Sequence, residues 1–404
     1  MKLLVNGGHS LSGSVKVGGS KNAALPILFS TLLVNGTTEI ENLPDIGDVK
    51  VALKLLEDLG AVIFRTESSV FINTEKARYS PPDPALVSKI RASTYLIGAC
   101  LSRFGVCDLL QFGGCNFSDR PIDLHLFAAE TLGAKVGRGR VSAKRLSGGD
   151  IAFPKISVGA TVNALIMAQA ADGVTTVQGY AKEPHVLAFI DFLRSCGADI
   201  EVTGNRLVIR QSTLRGGKFR IIGDMIEAGT YLSLALATGG DVSITGVEPK
   251  ELTSVLNVLD GVNASFDLSC NCIRVKGGVD KPLSVRCGPF PDFPTDLQPV
   301  FAPLMASCGG KIVDTVWCER FGYLSALALF GVRSIRIKSG AIVYPSELVS
   351  ARVTAPDLRG GAACLIAALS ACGESEISSA NVIMRGYGEL TAKLRALGAD
   401  ISEA

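Results

Sequence analysis

The sequence predicts an α/β protein made of six similar units, with its helices inside and its sheets outside. Three observations point there. First, Leu-Gly-Ala or a relative of it recurs between a helical run and a β-rich run. The copies are Leu59-Gly60-Ala61, Leu132-Gly133-Ala134, Cys196-Gly197-Ala198, Phe330-Gly331-Val332 and Leu397-Gly398-Ala399, with a degraded copy near Gly261 to Ala264. Second, polar helix starts fall near Asn22, Arg91, Gly159, Glu227, Asp296 and Leu358, separated by 69, 68, 68, 69 and 62 residues. Self-similarity at a fixed spacing marks a repeat architecture, here with a period of about 67 residues. Third, the helices after these starts are nearly continuous apolar runs, as in Ala23 to Leu33 and Ala362 to Leu369, and a helix that is apolar all round is a buried one.

Each unit reads as a helix with a polar N-cap, a Gly stop, a strand, a second helix ending in Gly-Ala, and a strand pair. In the third unit Ser157-Val158-Gly159-Ala160-Thr161 starts the helix, Val162 to Ala171 continues it, and Gly173-Val174-Thr175-Thr176-Val177 forms the strand. Alternating β and α also fits a parallel, doubly wound sheet. The long period argues against that, because a simple βα unit is shorter.

With 404 residues the chain is long enough for two domains or more. Its 44 glycines and few aromatics suit an α/β protein with many tight turns. A formal charge of +2 gives no reason to expect nucleic acid or an anionic membrane as partner. The basic run Arg138, Arg140, Lys144 and Arg145 reads as a solvated hairpin. No apolar run approaches the roughly 18 residues of a membrane span, and the N-terminal apolar stretch is too short for a signal peptide, so the cytoplasm is the expected compartment. The 11 cysteines are scattered, odd in number and free of any CxxC pair. Most read as small apolar core residues rather than a disulfide framework or zinc site. His9, His125 and His185 are too dispersed for a metal site, and no cofactor is expected.

The motifs that bear on chemistry run the length of the chain. Gly19-Ser20-Lys21-Asn22-Ala23-Ala24-Leu25-Pro26 opens the first unit. The second carries Ile90-Arg91-Ala92-Ser93, Gly113-Gly114-Cys115 and Arg120-Pro121-Ile122-Asp123-Leu124-His125. The third carries Ser157-Val158-Gly159-Ala160-Thr161, and the fifth Phe293-Pro294-Thr295-Asp296 and Glu319-Arg320-Phe321. The sixth carries Asp357-Leu358-Arg359, Arg385-Gly386-Tyr387 and Lys393-Leu394-Arg395-Ala396-Leu397-Gly398-Ala399. Read for residue type alone, the arginines offer forks that match phosphate and carboxylate. Cys115 follows two glycines that permit an exposed loop, and Arg120 close by would favour its thiolate. Asp296 after Pro294 fits an N-cap as well as a base, and helix capping alone would explain Ser157.

Taken together, in order and spacing, these motifs resemble the enolpyruvyl transferase family, and within it the UDP-N-acetylglucosamine 1-carboxyvinyltransferases. The resemblance covers essentially the whole chain. It implies two inside-out α/β barrels, each of three βαβαββ repeats with buried helices and outer sheets. One domain would span 21–218 and the other 1–20 plus 219–404, with the active site in a cleft between them. It implies transfer of enolpyruvyl from phosphoenolpyruvate to the 3-hydroxyl of UDP-N-acetylglucosamine, by a monomer without cofactor.

The resemblance also carries residue roles. Cys115 would protonate phosphoenolpyruvate and Asp296 would take the proton of the sugar hydroxyl, with Asp357 a second carboxylate nearby. Lys21, Arg120 and Arg385 would hold the phosphoenolpyruvate phosphate region, assisted by Arg91 and Arg320, with Arg359 a further anion ligand. The sugar nucleotide would lie against Asn22, Arg120, Pro121, Ile122, Asp123, Leu124, Lys155, Ser157, Val158, Gly159, Asp296 and Val316. Two departures from the family pattern are Asp119, an acid beside Arg120, and Gly47, where some relatives have a basic residue. The sister enzyme acting on shikimate 3-phosphate lacks the cysteine loop, and the intact Cys115, Asp296 and Arg385 weigh against a silent sugar-nucleotide sensor. Family members with Cys rather than Asp at this position are alkylated by fosfomycin. Mass spectrometry of the chain treated with fosfomycin is expected to show one adduct on Cys115, and an unmodified Cys115 would overturn the reading of that thiol.

Overall fold

The computed structural model describes residues 1–113 and 120–404. The candidate Cys115 and its neighbour Asp119 lie outside the described residues. The chain divides into two compact units, one of Met1–Gly18 with Gly223–Ala404, the other within 19–222. Each is an inside-out α/β body with three sheets around a helical core.

The sheets follow one plan. A short strand runs parallel to a central strand, which pairs antiparallel with the second strand of a hairpin. In the third repeat Asp150–Ala152 lies parallel to Val174–Gln178, and the hairpin Asp199–Thr203 with Arg206–Arg210 completes the sheet. The second repeat has three strands among the described residues, Val106–Asp108, Arg140–Ser142 and Lys135–Gly137. Of the basic run, Arg138 and Arg140 lie on the predicted hairpin, Arg140 paired to Asp108 at 2.7 Å, whereas Lys144 and Arg145 lie in the bend after it, Arg145 paired to Asp172.

Strand exchange explains why Met1–Gly18 belongs with the C-terminal half. Leu3–Gly7 pairs antiparallel with Gly373–Ser378 on one side and Asp400–Glu403 on the other. The first strand of the chain therefore sits inside the sheet of the sixth repeat. Ser12–Lys16 supplies the parallel strand beside Asp241–Thr245 in the fourth repeat. Lys218–Arg220 plays that part beside Thr37–Glu41 in the first.

Burial sorts the helices as the apolar runs predict. In Lys21–Ser30 every residue from Ala23 onward is buried. Val158–Ala170, Met225–Ala237 and Leu358–Ser370 are likewise buried on all sides. The second helices bury one face only, as Gly47–Asp58 does with Val49, Ala52, Leu53, Leu55 and Leu56. A helix without a polar face lowers its free energy only when enclosed, and the outer sheets and amphipathic helices enclose it. The fifth repeat departs from the pattern, because its first helix is split into Gln298–Phe301 and Met305–Cys308. Pro303 lies in the break. It has no N–H to donate, and its ring crowds the carbonyl four residues back.

The recurring Gly-Ala has a conformational cause. Gly60, Gly133, Gly197, Gly331 and Gly398 all have φ between 87° and 99°. Each ends a helix in the left-handed conformation, and the N–H of the next residue reaches back five positions, as from Ala61 to Leu56 (2.9 Å) and from Ala399 to Leu394 (3.0 Å). In the degraded fourth copy this position is filled by Asn263 (φ 58°), and Ala264 closes the same bond on Leu259 at 3.0 Å. Asn is the residue other than Gly that best tolerates this conformation. Gly261 is therefore not the counterpart of the other glycines. At Gly398 no atom lies within 4 Å of where a Cβ would sit, so Gly398→Ala tests backbone strain alone. Denaturant titration is expected to show a loss of about 1–2 kcal/mol.

Candidate functional site

In the unit completed by Met1–Gly18, three of the predicted charged residues, Asp296, Arg320 and Arg359, form one cluster. Asp296 is in a tight turn rather than at the helix cap. The cap of Gln298–Phe301 is Leu297, with no side-chain bond, so the N-cap alternative does not hold. The Asp296 carboxylate instead lies between two guanidinium groups. Arg320 donates to Oδ1 at 2.6 Å, and Arg359 donates to Oδ2 through Nη2 at 3.1 Å and Nε at 3.3 Å. The arginine side chains are only 6 % and 3 % exposed, against 30 % for Asp296. The carboxylate is thus the accessible part of a largely buried charge cluster.

The surroundings fix both cations. Arg320 also donates to the Thr295 carbonyl at 3.2 Å. Its own carbonyl accepts from Gln298 Nε2 at 2.6 Å, and Gln298 Oε1 accepts from the Tyr323 hydroxyl at 2.5 Å. Arg359 stands 5.2 Å from the Tyr387 ring centre, and the Tyr387 hydroxyl bonds Thr230 at 2.9 Å. Burial works against the Arg359 charge, but Tyr387, Asp296 and Asp224 outweigh it and hold the guanidinium above its ordinary pKa. Asp357 caps Leu358–Ser370, its Oδ1 accepting from the N–H groups of Arg359 (2.9 Å) and Gly360 (3.0 Å). Arg385 is half-buried at the end of the turn Ala380–Arg385. Val316 is exposed, and its N–H donates to Asp314.

In the other unit, Arg91 donates to the carbonyls of Arg120 and Pro121, the latter at 3.2 Å. Burial, with the Arg120 charge nearby, pulls Arg91 down to about 10. Beneath them His125 is a buried, satisfied histidine. Asn163 Nδ2 lies 2.6 Å from its Nδ1 and donates to the Thr94 carbonyl, while Asn163 Oδ1 accepts from Gly98. Burial, followed by the charge of Arg91, drives His125 down to about 3, so the ring is neutral at physiological pH. A Cβ on Gly159 would come within 2.9 Å of the ring, so a bare backbone is required where helix Val158–Ala170 begins. Ser157 is the cap of that helix, its hydroxyl accepting from Ala160 N–H at 3.3 Å.

Lys21, in the first turn of Lys21–Ser30, pairs with Asp48 at 3.3 Å, both mostly buried. Asn22 beside it is half-buried. Lys155, Pro121 and Asp123 are exposed and Ile122 half-buried, whereas Leu124 faces the core. The structure therefore joins Asp296, Arg320 and Arg359 in one cluster, and Arg91, Arg120, Pro121 and Gly159 around His125 in another. Sequence reasoning missed Asp48, Asn163, Asp314 and the ring of Tyr387. The motif Arg385-Gly386-Tyr387 was visible, but nothing in it showed that Tyr387 lies against Arg359. Among the described residues no group of three or more His, Cys, Asp or Glu is placed to hold a metal, and no helix is long and apolar enough to cross a membrane.

Residues 5–394 match the family described as EPSP synthase (3-phosphoshikimate 1-carboxyvinyltransferase). The chain is 39 % identical to "UDP-N-acetylglucosamine 1-carboxyvinyltransferase 3" of Caldanaerobacter subterraneus, over 99 % of this chain and 98 % of that one. It is 35 % identical to "UDP-N-acetylglucosamine 1-carboxyvinyltransferase 1" of Streptococcus agalactiae, again over 99 % and 98 %. Among solved structures it is similar to the enolpyruvyl transferase NikO of Streptomyces tendae, with a TM-score of 0.87, 26 % identity, and coverage of 100 % of this chain and 98 % of that one. EPSP synthase of Acinetobacter baumannii shares the fold at a TM-score of 0.75 and 18 % identity, with full coverage of both.

His125 makes the site's stability pH-dependent. The unfolded chain takes up a proton on this histidine below its ordinary value of 6.5, whereas the folded chain does so only near about 3. The unfolded state binds more protons in that window, so stability falls as the pH is lowered from 6.5 towards 3. Denaturant titrations of the wild type and of His125→Gln are expected to show the wild type losing its advantage over the variant across that range. A constant difference would overturn the assignment.

Proposed function

The chain belongs to the EPSP synthase family, and we propose that it transfers the enolpyruvyl group of phosphoenolpyruvate to the 3-hydroxyl of UDP-N-acetylglucosamine, releasing phosphate. The pairing of Asp296 with two buried arginines carries this reading. The reaction must bind two anions and remove a proton from a hydroxyl, and this cluster holds a partly exposed carboxylate beside two fixed cations. The choice of acceptor is supported by curated relatives at 35–39 % identity over nearly the full chain, named for the UDP-sugar. The solved EPSP synthase stands at 18 %.

Addition forms a bond from the sugar oxygen to C2 of phosphoenolpyruvate, while C3 gains a proton. Elimination then breaks the C2–O bond to phosphate and returns a C3 proton to a base. Asp296 takes the hydroxyl proton as general base. Arg320 and Arg359, expected from the family resemblance as anion ligands, are buried with their forks on Asp296 and the Thr295 carbonyl, so they act as fixed positive charge behind the carboxylate. Cys115 delivers the proton to C3. Lys21, Arg91, Arg120 and Arg385 bind the phosphate region. Asn22, Pro121 to Asp123, Lys155, Ser157 to Gly159 and Val316 line the sugar nucleotide, and Leu124, whose side chain is in the core, offers only its backbone. The N-terminus of Val158–Ala170, with the positive end of its dipole, suits the diphosphate. Asp357, whose cap holds Arg359 at the start of its helix, keeps that arginine beside Asp296. The product is a peptidoglycan precursor, made by a monomer in the cytoplasm.

Phosphate release from phosphoenolpyruvate separates the acceptors. Release with UDP-N-acetylglucosamine and none with shikimate 3-phosphate is expected. Release with neither would favour a binding protein over an enzyme. Asp296→Asn is expected to lower kcat by about 10²- to 10⁴-fold, the usual worth of a general base. An undiminished kcat would remove Asp296 from that role.

A further inference from the structure

Asp314 ends the strand Gly310–Asp314 and is completely buried. Its Oδ1 accepts from the backbone N–H groups of Val316 at 2.9 Å and Trp317 at 2.8 Å. Its Oδ2 accepts from the Thr295 hydroxyl at 2.5 Å. The first two bonds close a tight turn of the kind Asp side chains build with their own backbone. They set the start of the segment that carries Val316 and Arg320. The third bond crosses to the neighbouring turn, the one that carries Asp296.

That crossing matters because the backbone of the Asp296 turn is otherwise closed by one bond of its own, from the Leu297 N–H to the Pro294 carbonyl at 3.0 Å, and by the Arg320 bond to the Thr295 carbonyl. The helix after it is only Gln298–Phe301 and has no side-chain cap. Gln298 holds the carbonyl of Arg320, at one end of the 314–320 segment. The Asp314 carboxylate grips the other end and ties it to Thr295. Hydrogen bonds to a carboxylate are roughly twice as strong as those between neutral groups.

We infer that Asp314 is a positioning residue for the reaction. Through the Thr295 hydroxyl it fixes the place of Asp296 relative to Val316 and Arg320, and so aligns the base with the sugar nucleotide. Asp314 does not touch substrate itself. This inference rests on the roles proposed above for Asp296, Arg320 and Val316.

Two substitutions at Thr295 separate positioning from packing. Thr295→Val keeps the shape and removes the donor. Thr295→Ser keeps the donor and removes a methyl group. If the hydroxyl bond positions the base, Thr295→Val lowers kcat by about 10- to 100-fold, because small misplacements of reacting groups are costly, while its unfolding midpoint stays close to that of Thr295→Ser. Thr295→Ser then keeps kcat near the wild-type value. A packing role predicts the reverse order.

Trp317 is the single tryptophan of the chain, so its emission reports the 314–317 turn without any turnover. An altered emission maximum is expected in Thr295→Val and not in Thr295→Ser. If the wild type releases no phosphate with UDP-N-acetylglucosamine, the functional reading fails, and the tryptophan signal still judges the tether. Wild-type kcat and emission in Thr295→Val, or equal damage in Thr295→Ser, would overturn the inference.

Discussion

Two guanidinium groups buried against one carboxylate set the terms for the unit that contains them. Arg320 and Arg359 are almost entirely removed from water. Taking charges out of water is costly unless geometry and further hydrogen bonds compensate. Every neighbour reflects that need. Asp296 supplies the counter-charge, the Thr295 carbonyl an extra acceptor, the Tyr387 ring a face, and Asp357 a cap that fixes where Arg359 leaves its helix. Groups held by several bonds each are set in place before any ligand, which is what the catalytic role proposed above requires. The same arrangement leaves Asp296 as the part of the cluster that solvent can reach.

A helix buried on every side can present polar groups only at its ends. That explains why the candidate residues sit where the buried helices begin: Lys21 and Asn22, Ser157 to Gly159, and Asp357 to Arg359, with Arg91 and Asp296 in the turns just before them. At a helix start the first N–H groups have no partner within the helix, and the positive end of the dipole faces outward. Within each unit the repeats set such ends at equivalent places of the same fold. The two units use this differently. One surrounds a carboxylate with cations. The other sets Arg91 and Arg120 above His125, whose burial keeps it neutral and so adds no third positive charge.

The repeat itself was legible in the sequence because its cause is local. Left-handed helix ends select glycine, and buried helices select continuous apolar runs, so both signals recur at fixed spacing. Where a signal faded, a different residue met the same requirement, as Asn263 does in the fourth repeat. The split helix of the fifth repeat was equally local, since Pro303 was in view, but the apolar run masked its effect. The types of the site residues were legible too, and the family resemblance supplied their roles.

The sequence by itself determined the sixfold period, the buried helices and the inventory of charged groups, because each follows from forces acting within a few residues. Only the tertiary structure decided partners. Asp296, a plausible cap by its position after Pro294, became the counter-ion of arginines 24 and 63 residues away. Leu3–Gly7 became an inner strand of the last sheet, paired with residues near the other end of the chain. Asp48, Asn163 and Asp314 gained meaning only through what they touch. Hydrogen bonds and ion pairs depend on distances of a few ångströms between segments remote in sequence, and no local pattern encodes those distances.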